Sequence, residues 1–375
     1  MLNNGCAVIA RRNDEAIQTT MGSYIIRKLL YGIAVLWGVA TLVFFLFNIL
    51  PGDPAQMMLG QRADEASVNA IREELGMNQS LGKQYVDYLN DLVPISFYGI
   101  SEGTQKLDKI GHYAKLATIG ATAIVLKGPY LRMSYQSKRK VSDILGEAFP
   151  NTLLLAAVSI SIAIILGLLI GILTAVVNTN FLNKLTLFIT TIGMSLPSFF
   201  AAILMAWVFG FLLERYTGLS MTGSLYTVDE YGRGEFLSLR NLILPALTLG
   251  MRPLAVVTEL TRTSLLEAMS MDYVRTARAK GLKPFRVICI HALRNALNPV
   301  VTAVSGWFAS LLAGAVFVEF VFDWKGIGVV VVDALDKYDF PVIMGAVLLI
   351  AVMLIIVNIV VDIIYGIIDP RVRIS

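Results

Sequence analysis

Apolar residues in this chain are collected into long uninterrupted runs. Residues 29–50 carry no charge, nor do 153–177 or 185–213. Further runs cover 242–260, 300–322 and 340–368. About 20 apolar residues cross a bilayer as a helix, so the pattern predicts an all-α integral membrane protein with six transmembrane helices. The first run is too long for a cleaved signal, and no small-residue cleavage site follows it. It ends in Leu50-Pro51-Gly52-Asp53-Pro54, which stops a helix. The third contains Ser195-Leu196-Pro197-Ser198, which predicts a kink near mid-membrane. The fourth is weaker, interrupted by Pro245, Arg252 and Pro253. Gly167 with Gly171, and Ala309 with Ala313, have the four-residue spacing of small residues that suits close helix contacts.

The polar intervals are less regular. Residues 1–20 lack structure signals, and Met21 is followed at once by Arg27, Lys28 and the first run. They read as an upstream extension with Met21 as the natural start, or as a short disordered tail. Residues 51–149 form a long loop with eleven Lys/Arg and eleven Asp/Glu. Within it, 64–92 reads as helical, with Ala70, Leu75, Tyr85, Tyr88 and Leu89 as apolar points. The apolar stretch 114–126 is too short to span and reads as a packed or interfacial piece of the loop. This divides the chain into 1–20, a first helix plus loop over 21–149, a five-helix core over 150–368 and a tail at 369–375.

Composition agrees with a membrane protein. The chain is 56% hydrophobic and 15% charged, with mean hydropathy +0.69, where soluble domains carry about 25% charged residues. Loop charge sets the orientation. The N-terminus has four Lys/Arg, Lys184 follows the second run, and 261–298 has seven Lys/Arg against two acids, a net of +5. The loops 214–241 and 321–339 each carry four acids against three and two Lys/Arg. The basic side is predicted to be cytoplasmic, holding both termini, and 51–149 to be extracytoplasmic. The overall charge of +4 is accounted for by this topology and calls for no nucleic acid.

Catalytic chemistry is hard to find. The nearest approach to a phosphate loop, Gly76…Gly82-Lys83, has the wrong spacing and Gln84 in place of Ser/Thr. His112 and His291 fall on opposite sides of the predicted membrane and cannot share a metal. Cys6 and Cys289 are too few for a disulfide framework. No catalytic or metal residue is assigned. Glu259 and Glu319 lie near predicted helix ends and read as interfacial. Arg252 is the anomaly, because a cation at a helix centre costs about 2.5–3.5 kcal/mol on insertion scales. It reads either as the lining of a polar path or as an interfacial side chain that snorkels.

The densest polar signal is 259–299, ELTRTSLLEAMSMDYVRTARAKGLKPFRVICIHALRNALNP. Ser270 suits a helix N-cap, Asp272 puts an acid in the first turn, and Arg278 and Lys280 put cations in the last. Gly281 suits the position after the C-cap, and Pro284 stops continuation. A helix of about 10 residues is marginal alone and calls for a docking partner. Val274, Ala277 and Gly281 predict a small, smooth face for it.

Glu267-Ala268 followed by Asp272-Tyr273-Val274-Arg275-Thr276-Ala277-Arg278-Ala279-Lys280-Gly281 resembles the EAA loop of ABC importer membrane subunits. With HALRNALNPV after it, the wording is similar to the B-type permease of the dipeptide/oligopeptide/nickel branch. LPGDP at 50–54, LPSFF at 196–200, LPALTLG at 244–250, FDWKGIG at 322–328 and DPRVR at 369–373 sit where that subunit has similar words. The resemblance covers about 21–375. The chain departs from it at Met269, at Lys325, in an expanded 94–131 and at Arg252-Pro253.

The resemblance implies a type I ABC importer permease fold in a bacterial inner membrane. It implies a peptide path shared with a second permease subunit, two ATP-binding subunits that hold ATP and Mg2+, and an extracytoplasmic binding protein. Glu267, Ala268, Asp272, Tyr273, Arg275, Ala277, Arg278 and Gly281 would form the ATPase-coupling loop, with Glu267 held to Arg275 and Arg278 by ion pairs. Arg252, Pro197 and Ser195 are the candidate path residues. The alternative is a self-contained secondary transporter or channel. The scarcity of ionisable residues in the spans and the lack of a visible inverted repeat speak against it.

Overall fold

The computed structural model describes residues 26–48, 55–56, 64–74, 77–99, 110, 113–228 and 234–368. The extension 1–20, Met21, the stop at 50–54, His112 and the tail 369–375 lie outside the described residues, as do the side chains of Ala309 and Ala313. Helix α1 spans Ile26–Asn48. Two shorter helices follow, α2 (Glu65–Glu74) and α3 (Leu81–Leu92), and then three strands, β1 (Ile95–Gly99), β2 (Tyr113–Ile119) and β3 (Thr122–Lys127). Helix α4 is long (Val141–Val177) and leads to α5 (Asn180–Ser195) and α6 (Ser198–Met205), which continues as a π-helical segment, Ala206–Leu212. A small hairpin, β4 (Tyr226–Val228) and β5 (Glu235–Leu237), precedes α7 (Arg240–Ser270) and α8 (Asp272–Ala279). A turn at Pro284–Arg286 and a π-helical segment, Val287–Ala292, enter α9 (Leu293–Phe322). The chain closes with α10 (Ile327–Asp336) and α11 (Phe340–Ile368).

Among the described residues, five helical stretches are long and apolar enough to cross a membrane, and α5 with α6 makes a sixth if the pair is one span. The spans agree with the apolar runs, with one correction of degree. The kink expected at Ser195–Ser198 is a break of 112°. Leu196 and Pro197 are both extended (ψ 130° and 138°), which ends α5 and starts α6 afresh. Pro197 has no N–H to continue the ladder, and its ring disfavours helix in the residue before it.

Backbone contacts divide the chain into two units. The first draws on Phe149–Val329 with the start of α1 and the end of α11. Its core includes Leu155, Ala246, Leu312, Ala315, Val318 and Trp324, all buried. Glycines let α4 and α7 touch. A Cβ on Gly167 would lie 2.7 Å from Val257, and one on Gly171 2.8 Å from the Thr258 carbonyl. The Gly167/Gly171 pair thus makes the close helix contact its spacing predicts.

The second unit draws on Ile33–Ala148 and Val330–Ala351. Ala40, Val43 and Phe44 of α1 pack there with Tyr88 of α3 and with Met344 and Leu348 of α11. The strands form an antiparallel sheet of order β1-β3-β2. The stretch 114–126 is therefore a β-hairpin, turning at Ile119-Gly120-Ala121-Thr122 with Gly120 at φ +58°. Asp91 at the end of α3 organises the sheet's base: Arg132 pairs with it at 3.0 Å, and Lys127 donates to its carbonyl at 2.5 Å. Burial pushes the Lys127 ammonium below its ordinary range and the Tyr88 phenol up to about 12.

Candidate functional site

The basic loop begins where α7 ends. Met271 is extended (φ −74°, ψ 153°) and serves as the C-cap of α7 and the N-cap of α8. Ser270 does not cap α8. Its Oγ donates back to the Glu267 carbonyl at 2.7 Å, inside α7. The predicted N-cap is thus displaced by one residue, because α7 runs on through Ser270 and absorbs its hydroxyl. At the other end the reading holds. Lys280 is the C-cap and Gly281 follows at φ +74°. The Gly281 N–H bonds the Arg278 carbonyl (2.9 Å) and the Leu282 N–H the Ala277 carbonyl (3.4 Å), which is the Schellman pattern.

The faces of α8 differ from expectation. Val274 is fully buried and Ala277 nearly so, in a cluster with Leu265 and Ala268 of α7, Val287 and Ala292 of the π-helical segment, and Ala296 of α9. Of the small face expected to await a partner, Val274 and Ala277 are covered by the chain itself, while Gly281 stays exposed. Most of the cluster lies just before and just after α8 in sequence, so the loop folds back on its own flanks, and Ala175 near the end of α4 completes it. Ala268 belongs to this cluster, and Met269 packs half-buried against it.

Asp272, Tyr273, Arg275, Thr276, Arg278, Ala279 and Lys280 are exposed. Arg275 approaches Asp272 at 3.4 Å, with the two side chains 74% and 96% exposed, which contributes little to stability. Glu267 is exposed and, among the described residues, pairs with neither Arg275 nor Arg278. Sequence reading passed over Phe285, which stands 79% exposed between Lys283 and Arg286. The signal was an aromatic in a basic loop, directly after a helix-starting Pro.

A second polar locus joins the other three candidates. Leu196 lies between Ser195 and Pro197 at the α5/α6 break, and its carbonyl accepts from Arg252 Nη2 at 3.1 Å. Ser195 and Pro197 are exposed and Arg252 is half-buried. The Arg252 Nε is buried and, among the described residues, has no hydrogen-bond partner. Arg252 is thus tied to the broken helix. Gly193 of α5 faces α7 here: a Cβ on it would meet Met251 and Ala255 at ordinary contact distance (3.5 Å).

Glu319 lies near the end of α9, as read from the sequence, but it is enclosed in protein. It is fully buried, with the Gly328 N–H donating to its Oε2 at 2.6 Å and its Oε1 unpartnered. The segment 323–328 folds over it. The Trp324 indole donates to the Asn151 carbonyl at 3.0 Å, and Asn151 donates to the Lys325 carbonyl at 2.7 Å.

Residues 167–374 match the family "Binding-protein-dependent transport system inner membrane component", and 21–104 match its N-terminal companion. This chain belongs to that family. Its members are permeases, the membrane-spanning components of ABC importers, and the chain is such a subunit. It is 34% identical over 370 residues to the di/tripeptide transport system permease protein DppB of Pseudomonas aeruginosa, covering 94% of this chain and 99% of that one. It is also 34% identical to the glutathione transport system permease protein GsiC of Escherichia coli, over 94% and 99% of the two chains. Among solved structures, the inward-facing MetNI methionine ABC transporter aligns with a TM-score of 0.49 at 17% identity, over 60% of this chain and 96% of that one.

Proposed function

We propose that the permease pairs with a second, homologous permease subunit to form a path for di- and oligopeptides. An extracytoplasmic binding protein delivers the peptide, and two cytoplasmic ATP-binding subunits, which hold ATP and Mg2+, drive the cycle. The chain itself carries no cofactor and no metal and binds no nucleic acid. It sits in the bacterial inner membrane with both termini cytoplasmic and residues 51–149 outside. The peptide reading is supported by relatives named for di/tripeptide, peptide and glutathione transport, each aligned over 94% of this chain. Those cargoes share an amide backbone and a free carboxylate.

The observation that carries the coupling role is the two-sidedness of α8. Its inner face, Val274 and Ala277, is built into the end of α7 and the entry to α9. Its outer face is polar and basic and stands exposed among the described residues. An ATPase subunit that grips the outer face moves two spans at once, because the inner face is close-packed and transmits displacement. Differential contact with the ATPase in its two states then shifts the inward/outward equilibrium. Tyr273 and Phe285 are the aromatic anchors on this surface, the residue type that dominates interface energetics. Glu267 and the arginines of α8 are left to pair with the ATPase.

Thr276→Trp and Phe285→Ala test this in the complete reconstituted transporter. Both residues are exposed, so the permease should reach wild-type abundance and melting temperature. Peptide uptake should fall at least tenfold. Wild-type uptake by both variants would refute the assignment of this face.

A further inference from the structure

The Arg252 guanidinium is an uncompensated charge. Among the described residues no carboxylate pairs with it, whereas Arg262, ten residues along the same helix, meets Glu259 at 3.5 Å. Arginine stays protonated in any protein environment. It lies thirteen residues into α7, about 20 Å from the helix start at 1.5 Å per residue. An ionisable residue at such depth faces a cavity or a partner.

The Leu196 carbonyl does not explain the charge. A neutral donor would satisfy a single carbonyl as well, and Arg252 keeps a buried Nε with nothing to bond. The surroundings point the same way. Non-helical backbone at membrane depth is tolerated where it is buried in protein or lines a water-filled cavity, and Ser195 and Pro197 at the break are exposed. Helix α6 starts there with no side-chain cap, so its first amide N–H groups are left as further donors at the break. Broken helices of this kind place positive ends against anionic groups of a cargo.

We infer that Arg252 and the α5/α6 break form an anion subsite in the translocation path, and that its ligand is the terminal carboxylate of the transported peptide. This rests on the peptide reading above. The carboxylate is the one anion that every peptide with a free C-terminus carries, whatever its side chains. A guanidinium matches it with two parallel hydrogen bonds. The subsite therefore favours the free acid over the amide without reading sequence.

The test uses the complete transporter in proteoliposomes, with a labelled tripeptide and the same tripeptide as its C-terminal amide. Each is supplied at a concentration that saturates the binding protein, so delivery is matched. Arg252→Gln keeps a donor for the Leu196 carbonyl and removes the charge. Uptake of the free acid by this variant should fall at least tenfold, with uptake of the amide unchanged within twofold. Arg252→Lys, which keeps the charge, should retain free-acid uptake within about threefold. An equal loss for both probes would make Arg252 a structural clasp and overturn the inference, as would no loss for either. Should Arg252→Gln not assemble, the inference stands or falls on Arg252→Lys, whose preference for the acid over the amide must match the wild type. Failure of the wild-type transporter to import either probe would instead overturn the peptide reading.

Discussion

Gly326 and Gly328 bring backbone against the Glu319 carboxylate, and a side chain on either has nowhere to go. A Cβ on Gly328 would lie 2.5 Å from Val316 Cα and 2.7 Å from its carbonyl oxygen, both backbone atoms that cannot step aside. A Cβ on Gly326 would meet the carboxylate itself. Gly328→Ala should therefore destabilise the permease by about 3 kcal/mol, at the upper end for overpacking. Glu319→Gln keeps an acceptor for the Gly328 N–H and should cost at most about 1 kcal/mol. Glu319→Ala leaves that N–H unmet and opens a cavity, for about 3 kcal/mol. Thermal unfolding of the detergent-purified chain measures all three, and a Gly328→Ala protein that melts with the wild type would refute the packing account. The word FDWKGIG was visible in the sequence, yet the carboxylate it wraps was not. Hydropathy puts a charged residue near a helix end at the interface. Only the return of 323–328 over α9 shows that this one is enclosed.

The short helix α8 shows what local chemistry does and does not settle. Its end was legible, because the Gly281 cap depends on a few adjacent residues. Gly281 sits at φ +74° with no atom near its missing side chain, so replacement is limited by backbone strain alone. Gly281→Val should cost about 1–2 kcal/mol locally and loosen the cap. Gly281→Asn, which enters the left-handed region readily, should be tolerated. Uptake assays on the two variants should then separate, with valine impaired and asparagine near wild type. Equal uptake would mean that the cap does not matter to coupling. The apolar face at Val274 and Ala277 was legible, but what it packs against was not, because Leu265 and Val287, which share its cluster, lie on other elements. The hairpin β2–β3 was missed for a different reason. Residues 114–126 were weighed by composition and length, while two short runs either side of Gly120-Ala121 carried the turn signal. The break at Leu196-Pro197 was foreseen as a kink. What was not legible is that Arg252 takes the freed carbonyl, a contact fifty-six residues away in sequence.

At the scale of the whole molecule, the coupling role depends on which side of the membrane each loop occupies, and the Lys/Arg content of the short loops is the argument for that. Lys/Arg accumulate in 261–298 and acids in 214–241 and 321–339, and positive charge in short loops resists translocation. The structure supplies two probes of the outcome. Cys289 is exposed in the basic loop, and Leu116 is 56% exposed on β2 in the long loop. In a chain carrying Cys6→Ser, a membrane-impermeant maleimide should leave Cys289 unmodified in spheroplasts. It should label Cys289 in inverted membranes washed free of peripheral subunits. With Leu116→Cys in a chain lacking both native cysteines, the pattern should reverse. Labelling of Cys289 from outside would place α8 beyond the reach of any cytoplasmic ATPase and remove the coupling role with it. It would leave the packing of α8, and the tie between Arg252 and the broken helix, unchanged. The two halves of the mechanism, a joint at α8 and a charged subsite at the α5/α6 break, meet on α7. That helix carries Arg252 near its middle and runs directly into the joint at Met271. A displacement of α8 therefore reaches the subsite along one continuous helix.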